Sequence, residues 1–313
     1  MKFAVESWSP QFGSPMETEP GDPAFATVDV NVEVATGEWA PLTAPGAAVA
    51  ERVLFIDGVR RIDARIWTGR DDGTTRMGIC ASYAAGTVCC DGEARLQQVE
   101  VRRGLFGPAG AEQVVTGAGT YLPRAVAGDD IEALVNGLQQ RLGELEVEVA
   151  LSAPSPSEGG PGWGSDLIVV DGPLSGRQNV PGAIGYVKTH RVAYLPEPVD
   201  EVVARLEAGQ RTPLFVTQTS WSRFSWYLRL PGARGHPWAG VVRCEASADL
   251  SLDEARALAD RSASTLPRFA SVPHKDPRAP QNLYPIGGLE RELRHRLGDP
   301  ALVYRMLQAA SAS

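Results

Sequence analysis

The chain has 313 residues, enough for one large domain or two small ones with a substantial core. Hydrophobic residues make up 43% of the chain and charged residues 22%, which is typical of a globular protein in water. The formal net charge of −8 argues against a protein that coats nucleic acid through its overall field. It still allows a local basic track, or a carboxylate-rich site for divalent metal.

The sequence contains no sign of a membrane segment or of a disulfide framework. No apolar stretch approaches the ~18 residues that a membrane-spanning helix needs. The N-terminus MKFAVESWSPQFGSP has one Lys and no long apolar segment, so we expect no secretory signal and a cytoplasmic location. The four cysteines lack C-x-x-C or zinc spacing, and we expect reduced thiols in the core.

The first third of the chain predicts an irregular arm followed by strands. Residues 1–50 are rich in Pro, Gly and Ala and predict the arm, with short extended pieces such as ATVDVNVEVA. Residues 52–105 predict four strands, which are RVLFIDG, VRRIDARIWTG, TRMGICASYAAGTVCCDG and ARLQQVEVRRGLF. In the second strand charged and apolar residues alternate over residues 61–66, which is typical of a half-exposed antiparallel strand with Asp63 on its polar face. RDDGT and CDGE predict turns.

The pattern then becomes helical and returns to a buried strand. Residues 127–151 carry an apolar stripe at helical spacing, and Asp129 or Asp130 is the predicted N-cap. The Gly- and Pro-rich SAPSPSEGGPGWGS predicts a flexible loop. The next segment, DLIVVDGPLSG, predicts a buried strand that ends at Asp171.

The last part of the chain predicts further mixed structure. AIGYVKTHR and TPLFVTQ predict strands with a helix, VDEVVARLEAG, between them. RFSWYLRL and WAGVVRCEAS predict an antiparallel pair across the PGARGHP turn. SLDEARALADRSASTL predicts a helix that begins with a capping box of Ser251 and Glu254. GLERELRHRLGDPALVYRMLQAA predicts a C-terminal helix.

This order of elements predicts an α/β protein with a ribonuclease-H-like mixed sheet, flanked by helices and extended by antiparallel strands. Two strands end in Asp-Gly, at Asp57 and at Asp171, and in this architecture the two strands are neighbours. Hard divalent ions prefer oxygen ligands, and two such ions about 4 Å apart stabilise both oxygens of a phosphodiester displacement. We therefore expect the two carboxylates to form one metal site. Taken singly, either Asp-Gly pair is better explained by an ordinary turn.

Three segments together resemble the NurA nuclease family: FIDGVRRIDAR, LIVVDGPL followed by GYVKTH, and PQNLYPIGGLERELR. The resemblance extends over roughly residues 50–297 and suggests a NurA-like nuclease domain over residues 51–313. It implies a ribonuclease-H-like core that uses Mn²⁺ or Mg²⁺ to trim DNA ends. It also implies a homodimer that works beside a HerA-type hexameric ATPase.

The resemblance also suggests metal ligands. Asp57 and Asp171 match the two strand aspartates of the family, and a helical glutamate is expected within RLGELEVEVAL. Glu146 is our choice for that glutamate, with Glu144 and Glu148 as competitors. The fourth ligand stays open, with Glu290 as the first candidate and with His274 and Asp276 as others.

Several basic residues are candidates for contact with DNA. Lys188 follows a predicted strand, where a cation could neutralise a scissile phosphate, so it joins the candidate catalytic residues Asp57, Glu146 and Asp171. The candidate DNA-binding residues are Arg60, Arg61, Arg223, Lys275 and Arg278. Arg223 lies among aromatic residues in TQTSWSRFSWYLRL, a mixture suited to stacking on a single strand. A packed antiparallel strand explains the same aromatics.

Two other functions compete with a nuclease. An actin-like ATPase shares this type of core, but Asp57-Gly58-Val59-Arg60 lacks the D-x-G-x-T pattern and the chain is short for two such cores. A non-catalytic module that binds the ATPase partner would be expected to lose at least one strand aspartate, whereas this chain has both.

Overall fold

The computed structural model describes residues 26–44, 46–69, 75–128, 130–153, 166–178, 180–190, 193–232 and 235–312. The predictions for residues 1–25, for the RDDGT turn, for Asp129 and for most of the Gly- and Pro-rich loop lie outside the described residues.

Eleven strands occur in the described part of the chain, at β1 (Thr27–Asp29), β2 (Val53–Gly69), β3 (Thr75–Cys90), β4 (Ala94–Gly107), β5 (Val114–Thr116), β6 (Gly119–Ala125), β7 (Leu167–Asp171), β8 (Ala183–Val187), β9 (Phe215–Gln218), β10 (Ser222–Arg229) and β11 (Val241–Ser247). They form one sheet in the order β1-β9-β10-β11-β8-β7-β2-β3-β4-β6-β5. The sheet is mixed, because β7 with β8 and β4 with β6 are parallel whereas β10 with β9 and with β11 are antiparallel. The predicted α/β class is confirmed.

The helices in the described residues are α1 (Ile131–Ser152), α2 (Glu201–Arg205), α3 (Leu252–Thr265), α4 (Tyr284–Arg296) and α5 (Pro300–Ser311), together with two short 3-10 helices. The predicted capping box at the start of α3 is confirmed, since Glu254 N donates to Ser251 Oγ and Ser251 N donates to Glu254 Oε2. Asp130 caps α1 by accepting a bond of 2.7 Å from Ala133 N. Within the described ranges, no helix has the length and apolar character that crossing a bilayer requires.

The predicted end of the first buried strand at Asp57-Gly58 is wrong. RVLFIDG and VRRIDARIWTG form the single strand β2, and Asp57 lies in its interior. Gly58 has no positive φ angle, and Val59 beyond it is buried, so the chain passes through this Asp-Gly pair without turning. At the second pair Gly172 has a φ of +91°, and Asp171 is indeed the last residue of β7.

The C-terminal segment forms two helices where one was predicted. Gly298 adopts a φ of +82° and ends the run after α4. Asp299 then accepts a hydrogen bond of 2.8 Å from Leu302 N, and Pro300 occupies the first turn of α5. Gly298 ends one helix, and Asp299 and Pro300 begin the next, although the apolar residues continue at helical spacing through the whole segment. The predicted helix VDEVVARLEAG is also shorter than expected, since α2 has five residues.

The described residues divide into two compact units. Unit 1 contains the described parts of Met1–Phe55, Cys89–Arg95 and Ser155–Gly287, and unit 2 contains those of Ile56–Val88, Leu96–Pro154 and Gly288–Ser313. All four cysteines are buried free thiols, which confirms that prediction.

In unit 1 the second half of the predicted N-terminal arm is packed onto the sheet. Strand β1 pairs with β9, and Val30 and Trp39 lie in one apolar cluster with Phe215 and Tyr227. Trp39 Nε1 donates a hydrogen bond of 2.9 Å to Val30 O, which fixes the indole within this cluster. The segment therefore forms an edge strand and part of a core.

A buried ion cluster holds the same segment in place. Arg211 is 2% exposed and donates two hydrogen bonds of 2.8 Å to the carboxylate of Glu33, and its Nε donates to Asp260 at 2.6 Å. Leu214 N donates to Glu33 as well. Burial raises the pKa of Glu33, but the hydrogen bonds and charge of Arg211 outweigh it and hold the pKa below its ordinary value. Glu33 is therefore ionised and paired at neutral pH.

We predict that Glu33→Gln destabilises the fold by about 3 to 5 kcal/mol at pH 7, because it leaves Arg211 buried without its main counter-charge. Since the pKa of Glu33 is lower in the folded state, its contribution is present above the unfolded pKa of about 4.3 and is lost as the pH falls through the folded pKa. The gap between wild type and variant should therefore narrow in acid. Urea unfolding midpoints at pH 7 and below pH 4 measure both effects.

The matched control for that experiment is Glu144→Gln. The side chain of Glu144 is 43% exposed and pairs with Arg141 on the surface of α1, so its loss should cost less than about 0.5 kcal/mol. Equal shifts in the two variants would contradict the structural role of the Glu33–Arg211 pair.

In unit 2 a buried aspartate organises the sheet and the C-terminal helices. The side chain of Asp63, predicted on the polar face of its strand, has no exposed surface and accepts bonds from Ser82 Oγ (2.5 Å), Tyr121 OH (2.9 Å) and Arg61 Nε (2.7 Å). Arg61 also donates to the carbonyls of Leu297 and Gly298, at the end of α4. Asp63 therefore orients the arginine that caps this helix.

Candidate metal centre

Asp171 in unit 1 combines a fixed carboxylate with an unused acceptor. Strand β7 delivers it from a run of four buried apolar residues, Leu167 to Val170. Its Oδ2 accepts a hydrogen bond of 2.7 Å from Lys188 Nζ. Its Oδ1 is buried and, within the described part of the chain, has no hydrogen-bond partner. A buried carboxylate oxygen without a donor is costly unless a cation or a donor reaches it.

Lys188 is held at Asp171 by a chain of buried polar groups. It follows β8, which runs parallel to β7, so both residues lie at the same edge of the sheet. Its Nζ also donates to Asn282 Oδ1 at 3.0 Å, and Asn282 Nδ2 donates to Asp276 Oδ2 at 2.7 Å. Asn282 is fully buried and Asp276 is 9% exposed. The four side chains form one continuous network.

The turn after Asp171 is fixed by the neighbouring strands. A Cβ on Gly185 of β8 would lie 2.9 Å from Leu174 N, so glycine is required for the turn to pack this closely. Leu174 N donates to Glu245 Oε2 at 3.0 Å, and Glu245 is fully buried on β11. Glu245 also pairs with Arg223 and Arg243 at 2.9 Å each. These contacts keep the end of β7 in one conformation.

In unit 2, Asp57 and Glu146 are both buried carboxylates beside Gly58. Asp57 is 6% exposed on β2, and Glu146 is 3% exposed on α1. Gly58 N donates to Asp57 Oδ1 at 2.7 Å. A Cβ on Gly58 would lie 2.5 Å from Glu146 Oε1 and 2.7 Å from Leu142 Cδ1. Gly58 therefore allows α1 to bring Glu146 against the backbone next to Asp57.

Burial separates Glu146 from its two competitors on α1. Glu144 and Glu148 are exposed, and they form surface ion pairs with Arg141 and Arg102 respectively. The hydrogen bond from Arg102 lowers the pKa of Glu148, as expected for a paired surface carboxylate. Of the three, Glu146 has the burial of a site residue, and the others have the environment of solvated helix positions.

The structure does not single out any of the three candidates for the fourth metal ligand. Glu290 on α4 has a side chain that is 17% exposed and accepts a bond of 2.8 Å from Arg294. His274 is exposed, and Asp276 belongs to the network around Lys188. Among the residues that the structure describes, no group of three or more His, Cys, Asp and Glu side chains is arranged to hold a metal.

The five predicted DNA-binding residues have different environments. Arg60 and Lys275 are exposed, and Lys275 lies over the ring of Tyr284. Arg278 is half-buried, and its N donates to Asp276. Arg61 caps α4, and Arg223 is buried against Glu245 between the rings of Tyr194 and Trp221. Arg61 and Arg223 thus have structural roles, and all five contacts with DNA stay predictions.

Oxygen donors dominate both sets of residues, which is the chemistry that Mg²⁺ and Mn²⁺ prefer. The unpartnered Oδ1 of Asp171 fits a hard cation, and so do the two buried carboxylates beside Gly58. The prediction that Asp57 and Asp171 serve the same ion joins residues of the two units and stays a prediction.

The chain matches no model of a known protein family, and a search of curated proteins finds no significant relative. The resemblance to NurA nucleases therefore depends on the short motifs alone.

Asn282 and Glu245 are the residues of this region that sequence reasoning missed. Each bonds to a group far away in the chain, since Asn282 meets Lys188 and Glu245 meets Leu174. The available signals were a glutamate in the largely apolar segment WAGVVRCEAS, which also contains Arg243, and an asparagine after the proline-containing segment HKDPRAPQ. Neither signal predicts which distant residue forms the hydrogen bond.

We predict that Gly58→Ala displaces Glu146 and destabilises unit 2, because the added methyl group would clash with Glu146 Oε1 and Leu142 Cδ1. The matched control is Gly143→Ala on α1, where a Cβ meets nothing within 4 Å. The control should stabilise the protein by about 0.5 to 1 kcal/mol, since Ala is the better helix former. Thermal unfolding of both variants gives the comparison, and a neutral effect of Gly58→Ala would contradict the close approach.

Proposed function

We propose that the protein is a divalent-metal-dependent deoxyribonuclease of NurA type with a ribonuclease-H-like core. The observation that carries the proposal is the buried Oδ1 of Asp171, which lacks a hydrogen-bond partner in the described part of the chain while Oδ2 is held by Lys188. A ligand carboxylate typically has one oxygen oriented by a hydrogen bond, and the other oxygen binds the metal.

Two further features support the proposal. Strands β2 and β7 are neighbours in the sheet order, as the ribonuclease-H-like arrangement of two strand aspartates requires. Asp57 and Glu146 are both buried beside Gly58, so α1 and β2 bring together two side chains with oxygen donors, the ligand type that Mg²⁺ and Mn²⁺ prefer. In this proposal Asp57, Glu146 and Asp171 are metal ligands, and Glu290 is the candidate for a fourth.

In this proposal Asp57, Glu146 and Asp171 would hold the Mn²⁺ or Mg²⁺, which would supply an activated water and polarise the phosphate. The protein supplies orientation. Lys188 fixes the Asp171 carboxylate, and the Leu174–Glu245 bond fixes the turn behind it. Gly58 allows Glu146 to lie close to the backbone beside Asp57. No Ser or Cys nucleophile is required.

The partners follow from the same resemblance. With a net charge of −8, the protein is expected to have weak intrinsic affinity for DNA. We propose that a HerA-type hexameric ATPase delivers the strand to a homodimer of this chain, in the cytoplasm. Arg60 and Lys275, both exposed, are the best placed of the candidate DNA-binding residues to reach phosphates.

The test is cleavage of end-labelled single- and double-stranded DNA with Mn²⁺, Mg²⁺ or EDTA, with and without the HerA-type partner. We predict that Asp57→Asn, Glu146→Gln and Asp171→Asn each lower cleavage roughly a hundredfold or more, because each removes an oxygen that holds the ion. Circular dichroism verifies that each variant is folded.

Glu144→Gln and Glu148→Gln are the matched controls, since both residues lie on α1 beside Glu146 and are exposed. They should cleave as the wild type does. A folded Asp171→Asn protein that retains more than a few per cent of activity would exclude Asp171 as a ligand. Absence of cleavage by the wild type in every condition, partner included, would favour a non-catalytic assembly module.

A further inference from the structure

The positively charged Lys188 lies so close to Asp171 that it would repel a metal ion bound to the same carboxylate. Its Nζ is 2.7 Å from Asp171 Oδ2, and the two side chains are 11% and 17% exposed. Asn282 holds the Lys188 ammonium in this position, because this fully buried residue accepts a hydrogen bond from the ammonium and donates one to Asp276. A flexible lysine is thus kept in one place by a network that has no contact with solvent at its centre.

A metal that binds Asp171 Oδ1 would share this carboxylate with the ammonium. The two positive charges would repel each other, and burial weakens the screening that water and salt provide at a surface. The hydrogen bond from Lys188 has the opposite effect on metal binding, since it orients the carboxylate. One residue therefore contributes a favourable orientation and an unfavourable charge.

We propose that Lys188 is an internal cation that competes with the divalent ion for Asp171 and so lowers the metal affinity of the resting protein. Asn282 and Asp276 are positioning residues that hold Lys188 in this competing position. The inference depends on the proposed metal site, and it adds a regulation of metal occupancy by the protein's own cation. Bound polyanion would relieve the repulsion, because a phosphate near Lys188 offers the ammonium a second counter-charge.

The test is a titration of the full-length protein with Mn²⁺ in the absence of DNA, measured by calorimetry and by the electron paramagnetic resonance signal of free Mn²⁺. Lys188→Gln keeps an N–H donor for Asp171 Oδ2 and removes the charge, whereas Lys188→Arg keeps the charge. We expect Lys188→Gln to bind Mn²⁺ at least about tenfold more tightly than the wild type. Lys188→Arg should bind with wild-type affinity.

A folded Lys188→Gln protein whose Mn²⁺ affinity equals or falls below that of the wild type overturns the proposal. A second variant, Asn282→Leu, leaves every charge in place and removes the amide oxygen that accepts from Lys188 Nζ. It should bind Mn²⁺ more tightly than the wild type by a smaller factor, and unchanged or weaker binding overturns the role given to Asn282. This variant also serves as the test if Lys188→Gln does not fold.

Different results would contradict the metal site and the competition by Lys188. Mn²⁺ binding that Asp171→Asn abolishes, but that Lys188→Gln leaves unchanged, overturns the competition and supports the metal site. Wild-type protein that binds no Mn²⁺, or binds it equally well after Asp171→Asn, overturns the proposed metal site and this inference with it.

Discussion

Buried ion pairs hold together segments that lie far apart in this chain. Arg211 ties the segment around Glu33 to the sheet, Glu245 ties the turn after β7 to β10 and β11, and Asp63 orients the arginine that caps α4. Each pair contains a charge that would be strongly unfavourable without its partner. A shift of either group would leave a buried charge unpaired, which costs more than the gradual repacking that apolar contacts allow.

This constraint explains why the periodicity of the sequence predicted elements better than it predicted contacts. The apolar stripe of α1, the capping box of α3 and the pair β10–β11 depend on residues close together in the chain, and all three were predicted. The exact ends of elements depend on single residues in context. Gly298 and Asp299 divide the C-terminal helix in two, and Asp57-Gly58 does not end β2 although Asp171-Gly172 ends β7.

In the candidate site, too, local sequence patterns predict secondary structure better than they predict contacts between distant residues. The end of β7 at Asp171 was predictable because a run of apolar residues ends there, whereas Glu146 was chosen from the family resemblance and its burial is known only from the structure. Asn282 was not predictable, because its role is defined by Lys188, which lies 94 positions earlier in the chain. Arg61 and Arg223 show the converse, since a basic residue in a suggestive sequence can have its donors occupied by the protein itself.

Because β2 is one continuous strand, Asp57 is a candidate ligand for a different reason from the predicted position at a strand end. A carboxylate at the end of a strand can be hydrated and needs no further explanation, whereas Asp57 is buried within a strand of 17 residues. Replacing Gly58 by any larger residue would push away Glu146, so the glycine beside Asp57 serves the approach of a second carboxylate rather than a turn. Packing around Gly58 thus explains why Glu146 lies beside Asp57, and a buried carboxylate depends on compensating interactions for its lost hydration. At Asp171 in unit 1 this compensation is provided at Oδ2, to which Lys188 donates, whereas Oδ1 has no hydrogen-bond partner among the described residues.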